Sequence, residues 1–505
     1  MSPRLGQGWA GKGWAGHGWA GRGLLGLGRL GTEVPGQNPV AQAPLSRLWA
    51  ALRPAHLAAL TVLLVCVPLG NKDVTASVHV TPADVGSLVL VAVTLPLALL
   101  RRTRSPRPGT AGTVFVNTAL SLHMALLFAG VLVAVGVATA ASMDPHQSIS
   151  GFVRFVQIFV VVPSAVLYAV RDRRDLRMVL GAFASAALLE GAVGVEQYVT
   201  GTGASFAGGS QRAVGTFGAQ DVMAMSVVVS FGLLASLGLT LEARREQRTV
   251  AMRWWALATS ALAAPLALSF SRGSWIATAV AGTVVMLLTD ARLLLRTGVA
   301  LAAVGVVVLG GLTAAGVVGA GGAAGGAGSE GSVTARLTSI GSVTGAADHS
   351  VTDRYDLWTT AGRIWREHPL TGVGPKEFPV YRDAHAPLRL SSGSDTGGAG
   401  AGFSREPLLS PHNMYMLVLS EQGLLGLTAF ATLLLGTALG AWRTPAVVGL
   451  LVWQMVDFLY ADIGGTTTVL ISVVLGLCAS ALARTGVLAI PSPRAALTRR
   501  EASAL

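Results

Sequence analysis

The sequence predicts an all-α fold, a polytopic transmembrane helical bundle of about twelve spans. Three observations predict it. Of 505 residues, 52% are apolar and only 12% are charged, against about a quarter charged in an ordinary soluble domain. Apolar runs near the ~20 residues that a helix needs to cross a bilayer recur along most of the chain. Arginines gather in the short loops after every second run, which is the positive-inside pattern. A transmembrane β-barrel is excluded, because its spans would alternate apolar and polar over ~10 residues.

The runs, in order, are 57–69, 85–100, 114–141, 152–170, 222–241, 254–268, 276–288, 299–318, 414–441, 446–458 and 467–482. A weaker run, 179–199, is interrupted by Glu190, Glu196 and Gln197. The shortest runs need flanking polar residues to complete a crossing.

The net charge of +12 could suggest nucleic acid, but its distribution excludes that partner. The basic loops hold Arg101, Arg102, Arg104 and Arg107, then Arg171, Arg173, Arg174 and Arg177, then Arg244, Arg245, Arg248 and Arg253, then Arg292 and Arg296, and finally Arg443. The alternate loops hold chiefly Lys72, Arg212 and Arg272. This asymmetry predicts a plasma-membrane protein with both termini cytoplasmic and a long extracytoplasmic loop. Cys66 and Cys478 lie within predicted spans and read as small core residues, not as a disulfide framework.

The expected organisation is a cytoplasmic tail at 1–46, spans one to nine at 47–319, the extracytoplasmic loop at 320–410, the last three spans at 411–485 and a second cytoplasmic tail at 486–505. The first tail carries the tandem repeat GWAGKGWAGHGWAGRG. It is too Gly-rich to pack a core, and disorder is the expectation, with contact to the inner leaflet as the alternative. The first apolar run starts too late for a cleaved signal peptide, so it is expected to remain as the first span.

In the long loop, residues 320–332 are Gly/Ala-rich and expected to be flexible. The stretch SVTDRYDLWTTAGRIWREHPLTGVGP spaces Leu357, Trp358, Ala361, Ile364 and Trp365 as one apolar helical stripe. Thr352 suits its cap, and Pro369 with Gly372 stops it. Such an amphipathic helix lies on the membrane surface or on the bundle mouth, with Arg354, Arg363 and Arg366 toward water or lipid headgroups. Arg354 and Arg363 are also candidate substrate contacts. LSSGSDTGGAGAGFSREP reads as a mobile flap or a variable insertion.

The candidate chemistry sits at junctions. In LLSPHNMYMLVLSEQGLLG, Ser410 fits an N-cap and Pro411 the first helical position. His412 and Asn413 then fall in the first turn, whose free N–H groups make an anion site. The dipole there disfavours imidazolium and favours a neutral, proton-accepting His412, whereas a bound phosphate acts the other way. Arg272, in ALSFSRGSWIA, and Arg212, in SQRAVGTFGAQD, lie at outer junctions against the positive-inside trend. Their alternatives are snorkelling for Arg272 and an ordinary loop arginine for Arg212; that of His412 is a helix anchor. Together they put two guanidinium forks and one imidazole on one side of the membrane, a pattern suited to a diphosphate. Asp221 and Glu421 read as helix-packing hydrogen-bonders before cavity residues. No phosphate-binding loop, paired zinc cysteines or nucleophile elbow is seen, so neither cofactor nor metal is expected.

The set QRAVGTFG, SFSRGSWIA, AGRIWREHPLTGVGPKEFPVY and PHNMYMLVLSEQGLLGL resembles the O-antigen ligase and O-antigen polymerase family, in the family's order, over roughly residues 193–435. The resemblance implies a membrane glycosyltransferase that moves a glycan from undecaprenyl diphosphate to an acceptor at the outer face, without metal or nucleotide sugar. It implies that Arg212 and Arg272 grip the diphosphate, that His412 is the general base, and that Asn413 orients it or the acceptor. The Ala/Gly/Arg-rich composition suits a high-GC bacterium without lipopolysaccharide, so the expected acceptor is a surface polysaccharide or a protein. The competing expectations are a transporter, of bicarbonate or of a lipid-linked sugar, and an envelope scaffold. The absence of a convincing repeat of spans disfavours the transporter.

Overall fold

The computed structural model describes residues 53–68, 80–103, 122–206, 212–218, 221–299, 349–387, 390, 394–398, 402–406 and 409–485. The expected tails at 1–46 and 486–505, the GWAG repeat, nearly all of the expected span 299–318, the 320–332 stretch and the boundaries at 46 and 319 lie outside the described residues.

Helix α1 (Pro54–Leu63) continues into a 3-10 turn, Leu64–Cys66, and is followed by α2 (Pro82–Thr103) and α3 (Leu122–Ala140). Helix α4 (Pro145–Val156) runs through a π-turn, Gln157–Val161, into α5 (Val162–Ala169). Then come α6 (Arg173–Thr200), α7 (Ala224–Arg245), α8 (Thr249–Ala261), α9 (Ala263–Leu268) and α10 (Arg272–Thr289). The long loop contributes α11 (His349–Glu367) and α12 (Phe378–His385), and the chain closes with α13 (Met414–Gly440), α14 (Pro445–Asp457) and α15 (Thr468–Thr485).

Among the described residues, seven helices are long and apolar enough to cross a membrane: α2, α3, α4 with α5, α6, α7, α10 and α13. Three shorter apolar helices, Pro54–Cys66, Pro445–Asp457 and Thr468–Ala483, join them. Helix α7 is the central one, with 78% of its apolar window buried. Small residues let its neighbours approach, as membrane packing requires: a Cβ on Gly232 would lie 2.0 Å from the Ala187 Cβ of α6. At the rim, Trp254 and Leu257 of α8 and Leu435 and Leu439 of α13 stay exposed, which in a bilayer is the lipid-facing surface.

The fold is not purely helical. Strands β1 (Ala204–Phe206), β2 (Ser394–Gly398) and β3 (Gly402–Glu406) form an antiparallel sheet in the order β1-β2-β3. Ala204 pairs with Gly398, and Ser394 with Glu406. The stretch expected to be a flap or insertion therefore holds a hairpin that adds to β1. Backbone groups make a ladder, and Gly and Ser supply them as well as Val does, so composition concealed the strands.

Helix α11 shows the expected apolar stripe: Leu357, Ala361 and Ile364 are fully buried. It packs on α13, and Trp358 Nε1 donates to the Pro411 carbonyl at 3.0 Å. It starts at His349, so Thr352 lies inside the helix and not at its cap.

The feature that organises the bundle is a break in α13. At Gly423 the backbone turns to φ 63°, ψ −162°, and the helix is interrupted. A break inside a bilayer orphans carbonyls above it and N–H groups below it, each at a cost of several kcal/mol in hydrocarbon (on the order of the desolvation of one peptide group). The Pro369–Gly374 loop satisfies both sets. Val373 N and Gly374 N donate to the Ser420 and Glu421 carbonyls at 3.0 and 2.8 Å. Leu424 N and Leu425 N donate to the Pro369 and Leu370 carbonyls at 2.9 and 3.2 Å. The buried Glu421 carboxylate accepts from Phe378 N at 3.2 Å and so ties down the start of α12. Its position as a hydrogen-bonder between elements matches the packing reading. Glycine is demanded here: a Cβ on Gly372, at φ +65°, would lie 2.3 Å from the Glu421 carbonyl carbon, and one on Gly423 would lie 2.3 Å from Leu370.

Gly372→Ala and Gly423→Ala are each expected to destabilise by roughly 1–3 kcal/mol or more, through steric overlap added to a strained positive φ. Gly130→Ala on α3, where a Cβ meets nothing within 4 Å, is the control and should leave stability unchanged or slightly raised. Thermal melts of the three purified variants in one detergent check this.

Candidate functional site

The loop 458–467, between α14 and α15, gathers the segments singled out in the sequence. Helix α14 ends against the start of α13. Met414 N lies 2.9 Å from the Phe458 carbonyl and 3.0 Å from that of Ala461, so one N–H is shared between two acceptors. Asn413 is the N-cap: its Oδ1 accepts from Met416 N at 3.1 Å, and its Nδ2 donates to the Leu459 carbonyl at 3.0 Å. The carbonyl end of one helix thus faces the N–H end of the other, a favourable head-to-tail meeting of dipoles.

This corrects the expected cap. The helix starts at Met414, and neither Ser410 nor Pro411 opens it. Asn caps as well as Ser does, and only Asn can also reach back to Leu459 with an N–H donor. Met414 N and Met416 N, two of the N–H groups of the first turn, are engaged by protein acceptors. His412 lies outside the helix at φ 47°.

Ser410 Oγ donates to the Asp462 carboxylate and accepts from His412 N at 3.2 Å. His412 is half-buried. Burial pushes its imidazole below the usual histidine range, Asp462 works against that shift, and Arg354 adds to it. Arg354, on α11, is near enough to act electrostatically on Asp457, the last residue of α14, and on Tyr460 of the loop.

Arg272 is the first residue of α10, after the cap Ser271, whose Oγ accepts from Ser274 N at 3.3 Å. Its neighbour Gly273 lies flat against Tyr460: the phenol donates to the Gly273 carbonyl at 2.8 Å, and a Cβ on Gly273 would lie 2.4 Å from the ring. Arg272 is thereby held beside the same loop, half-exposed.

Arg212 is bridged to Ala204 through both backbone hydrogen bonds, at 2.8 and 3.1 Å. Ala213 N donates to the Leu268 carbonyl at 3.1 Å, which sets the Arg212 segment against the turn that carries Arg272. Asp221 completes the link, accepting from Thr466 N and Oγ1 at 3.0 and 2.8 Å. Phe217 and Thr466 line one pocket.

His412, Arg354, Arg272 and Arg212 therefore belong to segments that meet at one end of the bundle. Arg363 does not join them: its Nη1 donates to the His385 carbonyl at 2.9 Å and pins α11 to α12. Asn413 is spent on capping and on the α14 contact. Asp457, Tyr460 and Asp462 were missed in the sequence. Two carboxylates in VDFLYADIGG, at the end of an apolar run, were the signal that could have found them.

These segments lie at one end of an apolar helical bundle whose long helices mark a polytopic membrane protein. Residues 255–431 match the family model described as O-antigen ligase. That match spans about a third of the chain and agrees with the resemblance to the O-antigen ligase and polymerase family. The matched stretch contains Arg272, Arg354, the loop that fills the α13 break, and His412. No curated protein matches the chain. The family match lends nothing to the transporter reading.

Asn413→Ala should lose about 1 kcal/mol of stability with the cap, and more through the unmet Leu459 carbonyl, whereas Asn413→Ser should keep the cap and lose less. Equal melting temperatures for the wild type and both variants would remove the capping role.

Proposed function

We propose that the chain transfers a glycan from an undecaprenyl-diphosphate carrier to an acceptor hydroxyl at the outer face of the plasma membrane. The observation that supports this best is the convergence on the 458–467 loop of a half-buried His412 and the segments bearing Arg212, Arg272 and Arg354.

In the proposed step the acceptor oxygen attacks the anomeric carbon and forms the new glycosidic bond. The bond from that carbon to the diphosphate oxygen breaks, and undecaprenyl diphosphate leaves with the electron pair. The acceptor proton passes to the neutral His412 imidazole. Arg212 and Arg272 bind the diphosphate and stabilise its growing charge, for which guanidinium geometry is suited. Arg354 keeps His412 neutral and can contact the substrate. Asp462 orients the His412 segment through Ser410. Asn413 and Arg363 have positional roles, since their amide and guanidinium groups bond to backbone.

The orientation follows from charge. Exposed Arg173 and Arg174 at the start of α6, Arg244 and Arg245 at the end of α7, and Arg443 after α13 lie at the opposite end of the bundle. The positive-inside rule supports reading that end as cytoplasmic and the site as outside. The acceptor is proposed to be a surface polysaccharide or a protein.

In a strain deleted for this gene, lipid-linked glycan should accumulate. His412→Ala and Arg272→Ala should fail to restore transfer, with rates down by roughly 10²–10⁴ and 10²–10³ respectively. Full complementation by both would overturn the proposed site.

The pH profile gives a second check. A base must be unprotonated, so activity should fall as pH drops through the His412 pKa, below the ordinary value of about 6.5. Because Arg354 lowers that pKa and Asp462 raises it, Arg354→Ala should move the acid limb to higher pH and Asp462→Asn to lower pH. Limbs that stay in place in both variants would remove His412 as the base.

A further inference from the structure

Two of the three polar side chains that weaken the span on α6, Glu190 and Gln197, face the Arg212 loop. Glu190 and Gln197 are seven residues apart, two turns along one face of the helix. Glu190 is fully buried, and its carboxylate accepts from Thr216 N and from Thr216 Oγ1, both at 2.8 Å. Gln197 engages the preceding residues through both ends of its amide: Oε1 accepts from Val214 N at 3.0 Å and Gly215 N at 2.9 Å, and Nε2 donates to the Gly215 carbonyl at 2.7 Å. Gly215 lies between them at φ +63°, and a Cβ there would fall 2.2 Å from Glu190 Oε2. The loop backbone two to four residues beyond Arg212 is thus gripped by side chains from inside the bundle.

We infer that Glu190 and Gln197 are positioning residues that hold Arg212 in place for the diphosphate of the lipid-linked donor. The inference rests on the proposed donor chemistry. Polar groups buried in a span are costly, and a loop that served only to connect α6 to α7 could meet water with its own N–H groups. Here a glutamate and a glutamine in the span are committed to three consecutive residues of that loop. Its far side is fixed to the Arg272 turn through the Ala213–Leu268 bond. The clamp therefore sets the spacing between the two guanidinium-bearing segments, the quantity on which bidentate recognition of a diphosphate depends.

The test uses the full-length protein in nanodiscs with undecaprenyl diphosphate as the probe. Glu190→Ala and Gln197→Ala should each speed hydrogen exchange at the 214–216 amides and weaken binding about tenfold, the scale of strongly coupled neighbours. Glu190→Gln keeps an acceptor for Thr216 N and should bind within about twofold of wild type. Thr216→Val, which leaves α6 intact, should weaken binding by a smaller factor. In an Arg212→Ala background, Glu190→Ala and Gln197→Ala should cost nothing further.

Wild-type affinity in Glu190→Ala and Gln197→Ala, with Arg212→Ala weakened, would overturn the clamp and leave the donor reading standing. So would an undiminished extra loss in the Arg212→Ala background, since the two residues would then act on the fold at large. Wild-type affinity in Arg212→Ala would overturn the donor reading and the clamp together.

Discussion

A helix broken inside a membrane must find partners for its freed backbone groups, and this requirement shapes the structure around α13. The Pro369–Gly374 loop donates to the upper half and accepts from the lower half, so a polar backbone strand becomes part of a membrane helix. Three glycines make this close approach possible. Gly372 and Gly423 let two backbones touch, and Gly374, at φ +117°, fits where a Cβ would lie 2.4 Å from Ser148 Oγ. On the far side, Pro375 packs on Gly151 of α4, so the inserted loop also ties the long-loop helices to the first half of the bundle.

The break determines where the site can be. The upper half of α13 is held by the inserted loop at its lower end and by the α14 terminus at its N-cap. His412 leaves that rigid stub in a left-handed turn with Arg354 and Asp462 near it. The 458–467 loop then reaches α10 through Tyr460 and Gly273, and the residues before α7 through Thr466 and Asp221. Groups far apart in sequence are fixed near one another by backbone and side-chain hydrogen bonds between the loops at one end of the bundle. Such a rigid scaffold under a few loop residues is what a reaction of preorganised charges requires.

Among the described residues the seven long apolar helices were legible, because length and apolarity are one-dimensional properties, whereas the expected count of about twelve spans is not matched by them. The α11 stripe was legible because its period is helical. The glycine and glutamate of SEQGLLG and the HPLTGVG motif stood out as patterns, but that one is inserted into the other could not be read, since it depends on which carbonyls a break exposes. The cap of α13 was misplaced by three residues: Ser410, Pro411 and Asn413 all suit a helix start, and the Leu459 carbonyl that selects Asn413 lies in the loop after α14. Strands β2 and β3 were hidden by Gly/Ser composition. Glu190 and Gln197 registered only as weakness in a span, although that weakness marks their contact with the loop of Arg212.

The most direct measurement is an experimental structure of the full chain in a lipid nanodisc with undecaprenyl diphosphate bound. The account predicts the diphosphate between the guanidinium groups of Arg212 and Arg272, with the His412 imidazole facing the position a sugar anomeric carbon would take. A diphosphate seated elsewhere, with those three side chains turned away from it, would contradict the account.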